Sequence, residues 1–148
     1  MIPFIPIAAV ALLGKLIYEA VKEQPDYSEI DHENVYVDYM INQDKEKLTS
    51  TILKQKTTRA VNKIQKEYKG FKIGKSGNPK ERQGSTDYTK YKGMYVLCAS
   101  SDSDVISDLE GYYNEKYIKH KKNDNKKEGS AGVTTDSNGV HYLYVSVR

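Results

Sequence analysis

The chain has few of the residues that a disulfide-linked or zinc-bound protein needs. Cys98 is its single cysteine, so an intramolecular disulfide is excluded, and no Cys/His cluster suggests zinc. Cys98 lies in the apolar run 94–99, which predicts a buried structural thiol and fits a reducing compartment. Tryptophan is absent and phenylalanine occurs twice, whereas tyrosine occurs 13 times. Tyrosine packs and hydrogen-bonds at once, which suits a small core or a nucleic-acid surface.

Charge is unevenly distributed, although the net charge is only +3. Residues 68–92 carry seven basic and two acidic side chains, and residues 116–127 carry six lysines and one aspartate. Residues 100–115, between them, carry five acidic side chains and no basic one. Two basic segments around an acidic one suit a polyanion site with a metal-binding carboxylate. A solvated charged surface is the alternative.

The first 14 residues contain no charged side chain. A helix over residues 2–21 would be about 30 Å long, enough to cross a bilayer. Because no basic segment precedes it and no small-residue cleavage site follows it, an uncleaved anchor is favoured over a cleaved signal peptide. An amphipathic or buried helix of a soluble protein is the alternative, since the apolar run is short for a span. As an anchor, with Lys15 and Lys22 after the run, it predicts a cytoplasmic location for the rest of the chain.

The remaining pattern predicts an α+β domain with a small, mostly antiparallel central sheet flanked by helices. The chain divides into an apolar N-terminal helix, a polar linker and one domain, at residues 1–22, 23–33 and 34–148. Strands are predicted at residues 35–41, 71–74, 94–99 and 140–147. Helices are predicted as an insert of one or two helices at 44–68, a short helix from Pro79, and a helix from Asp102 or Ser103 to about His120.

The segment 71–82 is the most informative part of the chain. Phe71 and Ile73 alternate with Lys72, so a half-buried strand would place Lys72 on the opposite face. Gly74 lets the backbone turn or approach a ligand closely.

A helix begins directly after this strand. Ser76 or Asn78 can cap it, and Pro79 suits its first turn. Arg82 then lies one turn into the helix, beside the strand end. A lysine, a serine, free backbone N–H groups and an arginine are what a phosphate group needs, so the segment predicts a phosphate site. An ordinary strand–turn–helix junction is the alternative.

The order of these elements resembles the GIY-YIG nuclease superfamily, in particular a phage-associated branch whose second motif reads Lys-Ile-Gly followed by Asn-Pro and Arg. Those residues are 72–74, 78–79 and Arg82 here, and the resemblance covers about residues 34–148. It implies a metal-dependent endonuclease that hydrolyses DNA phosphodiester bonds with Mg²⁺ or Mn²⁺.

The resemblance implies a catalytic set of Tyr36, Lys72, Arg82 and Glu110, with Glu110 as the metal ligand. Tyr39 is the rival of Tyr36. On a strand the two tyrosines would point to opposite faces of the sheet. Tyr36 would lie with Asp38 on the more polar face. The chain departs from the family pattern in two ways: Asn34 replaces the first glycine, and the gap between the two motifs is long.

The later asparagine of the family would be Asn123 or Asn125. The predicted nucleic-acid contacts come from the two basic segments: Lys75, Ser76, Asn78, Lys80, Lys119, Lys121 and Lys122.

The implied residues suit the reaction on chemical grounds. A tyrosine beside a lysine can accept or relay a proton, and an arginine can hold two phosphate oxygens. A glutamate with waters and the phosphate can hold Mg²⁺. Two alternatives stay open: a non-catalytic nucleic-acid-binding module of the same fold, and a membrane-attached adaptor whose basic loops contact anionic lipid.

Overall fold

The computed structural model describes residues 33–41, 50–125 and 139–148. In chain order its elements are β1 (Val35–Tyr36), α1 (Ser50–Lys66), β2 (Phe71–Ser76), α2 (Pro79–Gln83), a 3-10 helix (Thr86–Tyr88), β3 (Gly93–Ser100), α3 (Ser103–Lys116) and β4 (His141–Val147). The predicted helix at 1–22 and all but the last residue of the linker lie outside the described residues. Within the part that is described, no helix is both long and apolar enough to cross a bilayer.

The four strands form one mixed sheet in the order β1-β3-β4-β2. β4 pairs antiparallel with both β2 and β3, whereas β1 pairs parallel with β3. The predicted α+β class and the small sheet flanked by helices are therefore confirmed. Because β4 is the last of these strands in the chain, the neighbour of β2 comes from the C-terminal region and not from the first strand.

The first predicted strand is much shorter than expected. Only Val35–Tyr36 is a strand, and the chain turns directly afterwards, where the N–H of Met40 donates to the carbonyl of Val37 at 3.0 Å. Asn34 precedes the strand with a φ of 67°, a left-handed conformation that asparagine tolerates better than most residues. Within the predicted insert 44–68, the described part is one helix, Ser50–Lys66.

The two faces of the sheet carry different elements. On the helical face, α1 and α3 pack against the main core, where α1 contributes Leu53, Val61 and Ile64 at helical spacing. On the other face, which we call the tyrosine face, α2 and the 3-10 helix cover a smaller cluster. Its members are Tyr88, Tyr91, Met94 and Tyr144.

Helix caps fix where α2 and α3 begin, as the sequence predicted. The side chain of Asn78 accepts from the N–H of Glu81, and Pro79 occupies the first turn of α2. Asp102 caps α3 by accepting from the N–H of Asp104. These caps set the direction in which α2 leaves β2, and so place Arg82 over the tyrosine face.

The outer edge of β2 is covered by the segment that follows α3. The N–H of Phe71 donates to the carbonyl of Lys122, and the N–H of Asp124 donates to the carbonyl of Phe71. Asp124 in turn accepts two hydrogen bonds from the guanidinium of Arg148, at 2.8 and 2.9 Å. The basic segment after α3 thereby lies along β2, next to Lys72.

Candidate active site

Lys72 and Arg82 meet on the tyrosine face. Side chains alternate along β2, and Phe71 and Ile73 enter the main core, so Lys72 between them points to the tyrosine face. Its partner on β4 is Ser146. The ammonium of Lys72 lies 5.0 Å from the ring centre of Tyr88, and the guanidinium carbon of Arg82 lies 5.9 Å from the same centre. Two cations therefore share one aromatic ring.

Two tyrosine hydroxyls complete this cluster. The hydroxyls of Tyr88 and Tyr144 are hydrogen-bonded to each other. Both tyrosines interact electrostatically with the guanidinium of Arg82. Burial alone would lower the pKa of Arg82, but the two tyrosines outweigh it and raise that pKa. We call Lys72, Arg82, Tyr88 and Tyr144 the phosphate cluster, because their N–H and O–H groups are the donors that a phosphate accepts from.

Burial decides the protonation state of Tyr144. The pKa of its hydroxyl is raised, first because the side chain is buried and then because Tyr88 lies beside it, while Arg82 works in the opposite direction. The phenol is therefore neutral. Arg82 beside this tyrosine does not make it the proton acceptor that the sequence predicted for a tyrosine beside a lysine.

Gly74 makes room for Tyr144 on the neighbouring strand. The two residues are paired across β2 and β4, and a Cβ at position 74 would fall within 3.0 Å of the hydroxyl and ring of Tyr144. The requirement for glycine here is thus a close approach between a backbone and an aromatic ring.

We expect Gly74→Ala to lower the free energy of unfolding by about 1–3 kcal/mol, the range for an overpacked buried site. The added methyl group must displace Tyr144, which is fully buried. Gly84→Ala is the matched control, because the nearest atom to its Cβ is a carbonyl oxygen at 3.6 Å and its φ is −81°. Chemical denaturation measures both variants, and equal stability would show that Tyr144 does not need this space.

Glu110 lies behind the outer edge of β2, on α3. Its side chain is 7% exposed, and its carboxylate is 4.0 Å from the ammonium of Lys75. The backbone N–H of Lys75 also donates to this carboxylate, and Lys75 itself donates to the hydroxyl of Ser107 at 2.9 Å. Burial raises the pKa of Glu110, while Lys75, and after it Arg82 and Lys72, act to lower it. The positive charges of Arg82 and Lys72 therefore act on this carboxylate.

Glu110 is the carboxylate that this site offers to a metal ion. Among the described residues there is no group of three or more His, Cys, Asp or Glu side chains that could hold a metal. Mg²⁺ binds through one or two carboxylates with waters and substrate phosphates, so Glu110 beside the phosphate cluster fits that mode and does not fit a preformed metal cage.

The structure does not bring Tyr36 to this site. Tyr36 is paired with Tyr95 at the far side of the sheet, so β3 and β4 separate it from Lys72 on β2. Its ring lies 5.0 Å from that of Tyr95 on the helical face, and Tyr39 lies 5.6 Å from the same ring. Both tyrosines therefore pack on Tyr95, and the expectation that they point to opposite faces is wrong, because the strand ends before Tyr39.

The two asparagine candidates hold the chain along β2. Asn123 is buried and donates to the carbonyl of Tyr117 at 2.9 Å. Asn125 donates to the carbonyl of Ile73 at 2.7 Å and to the side-chain oxygen of Asn114 at 2.6 Å. Asn123 is bridged to Phe71 at the start of β2, whereas the side chain of Asn125 contacts Ile73 within the Lys-Ile-Gly motif.

The predicted nucleic-acid contacts fall into two groups. Lys75 and Ser76 are buried, and the hydroxyl of Ser76 accepts from the N–H of Asn78, so both have roles inside the fold. Lys122 donates to the carbonyl of Gln65 at 2.9 Å. The remaining four are exposed and accessible to a polyanion: Asn78, Lys80, Lys119 and Lys121.

Tyr88 and Tyr144 were not predicted from the sequence to be site residues. The alternation of residues 140–147 predicted a closing strand, but not that this strand would be the direct neighbour of the Lys-Ile-Gly strand. Strand order depends on pairing between distant segments, which periodicity does not encode.

Comparison with known proteins adds no further assignment: no protein-family model, no curated protein and no solved structure matches this chain.

Proposed function

We propose that this protein is a metal-dependent endonuclease that hydrolyses DNA phosphodiester bonds at the phosphate cluster. The observation that carries the proposal is the position of Arg82: its guanidinium lies over the ring of Tyr88, which it shares with the ammonium of Lys72. Two cations thus converge on one small surface, and the buried carboxylate of Glu110 is within electrostatic reach.

In this proposal each residue acts on a different part of the scissile phosphodiester. Arg82 turns its N–H groups to two phosphate oxygens and stabilises the negative charge that develops on them. Tyr88 and Tyr144 are buried and bonded to each other, and they hold Arg82 in position. Lys72 lies where it can hold an adjacent phosphate.

Glu110 is the residue that would hold Mg²⁺ or Mn²⁺. When bound, the ion supplies positive charge at the phosphate and lowers the pKa of a coordinated water. Lys75, which donates its backbone N–H to this carboxylate, fixes the orientation of Glu110.

The test is incubation of the full chain with supercoiled plasmid, with Mg²⁺, with Mn²⁺ and with a chelator. Metal-dependent conversion to nicked or linear DNA supports the proposal, and binding without conversion under every condition contradicts it.

A non-catalytic phosphate-binding module is the second candidate. The observation that favours it is the raised pKa of Tyr144, since a neutral phenol binds phosphate well but is a poor proton acceptor. Membrane tethering through residues 2–21, with a cytoplasmic domain, and the adaptor alternative stay predictions, because those residues lie outside the described ones.

The position of the tyrosines gives a direct test of the site. We expect Tyr144→Phe to reduce the cleavage rate by about tenfold or more, because it breaks the tyrosine pair that positions Arg82. Tyr36→Phe should cleave at the wild-type rate, since its ring contacts Tyr95 on the opposite face. Single-turnover cleavage rates of the two variants test both expectations. Loss of activity in Tyr36→Phe alone would place the site at the far edge of the sheet.

A further inference from the structure

Helix α1 carries charge of one sign. All its charged residues are basic, namely Lys54, Lys56, Arg59, Lys63 and Lys66, and none is acidic. Its apolar residues are directed into the main core, so the opposite side of the helix faces solvent. Seventeen residues with five cations and no anion form a strongly positive surface, far from charge balance.

This side of α1 lines an open groove of about 880 Å³ together with Tyr112 and Lys116 of α3. The described lining residues include five cations and no carboxylate: Lys54, Arg59, Lys63, Lys66 and Lys116. Among the residues that the structure describes, none of these five forms an ion pair within 4.0 Å. Residues 51–66 extend along the helix for roughly 22 Å, which is long enough for several successive phosphates.

The two walls of the groove are tied together. The hydroxyl of Tyr113 donates to the carbonyl of Lys54 at 2.7 Å, and the hydroxyl of Tyr117 donates to the side-chain oxygen of Asn62 at 3.0 Å. Both bonds join α3 to α1, so the shape of the groove is set before any ligand binds.

Tyr112 stands at the wall of the groove. It is the single large hydrophobic side chain that is exposed within the described residues, at 36%. Its ring meets Tyr113 edge-on at 4.9 Å, which holds it in place, and the ammonium of Lys54 lies 4.2 Å from its centre. Burial lowers the pKa of Lys54, and Asp108 opposes that shift. An anion in the groove would favour the charged form of this lysine.

We propose that the α1–α3 groove is a nucleic-acid-binding surface, separate from the phosphate cluster, in which the five cations contact the sugar–phosphate backbone and Tyr112 contacts a base. The groove is formed by the helices of the helical face, whereas the phosphate cluster lies on the tyrosine face. The proposal goes beyond the proposed function and holds whether or not the phosphate cluster cleaves DNA.

One feature favours nucleic acid over an anionic membrane surface. An exposed aromatic ring among cations is the combination that holds single-stranded nucleic acid, by stacking on bases and neutralising phosphates.

The test is fluorescence anisotropy of the full chain with labelled single- and double-stranded oligonucleotides over a series of KCl concentrations, with chelator present to prevent cleavage. The groove variant combines Arg59→Gln, Lys63→Gln and Lys66→Gln, three exposed positions. We expect its affinity to fall by about tenfold or more, and the slope of log K against log salt to decrease by about 2, near 0.7–0.9 per lost phosphate contact.

The matched control combines Lys69→Gln, Lys90→Gln and Lys92→Gln, which are also exposed and remove the same charge elsewhere. It should bind with nearly wild-type affinity. Tyr112→Leu should weaken single-stranded binding by about tenfold and duplex binding less, because stacking needs an unpaired base. Circular dichroism melts confirm that every variant is folded.

Equal losses in the groove variant and in the control would mean that net charge alone attracts DNA, and would overturn the proposal. So would a groove variant that loses binding to phosphatidylserine vesicles while retaining oligonucleotide affinity. The test is independent of the phosphate cluster: an inactive protein whose groove variant binds DNA weakly still supports the groove.

Discussion

Glu110→Gln is expected to reduce metal-dependent cleavage by roughly 10³-fold or more, the scale of several kcal/mol of transition-state stabilisation. Glutamine keeps the shape of the side chain and can still accept from the N–H of Lys75. It removes the negative charge that a divalent cation requires. Cleavage is measured as single-turnover rates across a titration of Mg²⁺ and Mn²⁺.

The fold should survive this change. Because the pKa of Glu110 is raised in the folded protein, its ionised form opposes folding above that pKa, and neutral glutamine does not. Glutamine also leaves the buried ammonium of Lys75 without its carboxylate partner, which acts in the opposite direction. We therefore expect a folded protein, and a circular dichroism melt of each variant checks it. Glu115→Gln is the matched control, since Glu115 is exposed on the same helix. If Glu110→Gln cut DNA at the wild-type rate, the metal would have to be held elsewhere.

Arg82→Ala is expected to reduce the cleavage rate by about 10²–10⁴-fold, as when a group that stabilises transition-state charge is removed. Arg82 also lies over the ring of Tyr88, so its loss removes a cation from the tyrosine pair. Arg82→Lys should recover little of the rate, because an ammonium cannot make two parallel hydrogen bonds to a phosphate.

Lys80→Ala is the control for Arg82, because Lys80 lies on the same short helix and is exposed. It should change DNA affinity at low salt but not the single-turnover rate at saturation. A fully active Arg82→Lys variant would argue against the two-bond contact. If no variant and no wild-type protein cleaves DNA, while Arg82→Ala lowers affinity, the binding-module candidate is the correct one.

Local features of this fold could be predicted from the sequence. Asn78, Pro79 and Asp102 signal helix starts through hydrogen bonds that span a few residues, and the structure uses them in that way. The alternation of side chains along a strand is also local, and it correctly placed Lys72 opposite Phe71 and Ile73.

Features that depend on distant segments could not be predicted. The neighbour of Lys72 on the sheet is Ser146, and the tyrosine beside Arg82 is Tyr144. Tyr36 was assigned to the site by the family resemblance. In the structure β4 occupies the positions beside both β2 and β3, which leaves β1 only the far edge of β3.

The central place of β4 determines when the candidate site can exist during synthesis. β2 and β3 are not paired with each other but are joined through β4, and β4 follows every other described element in the chain. A nascent chain that has not yet released residues 141–147 therefore has neither a joined sheet nor Tyr144 beside Arg82. The pairings that complete the sheet are long-range, so they form late and slowly. A chain interrupted before this strand would carry the lysine and arginine of the phosphate cluster without the arrangement that the proposed cleavage requires.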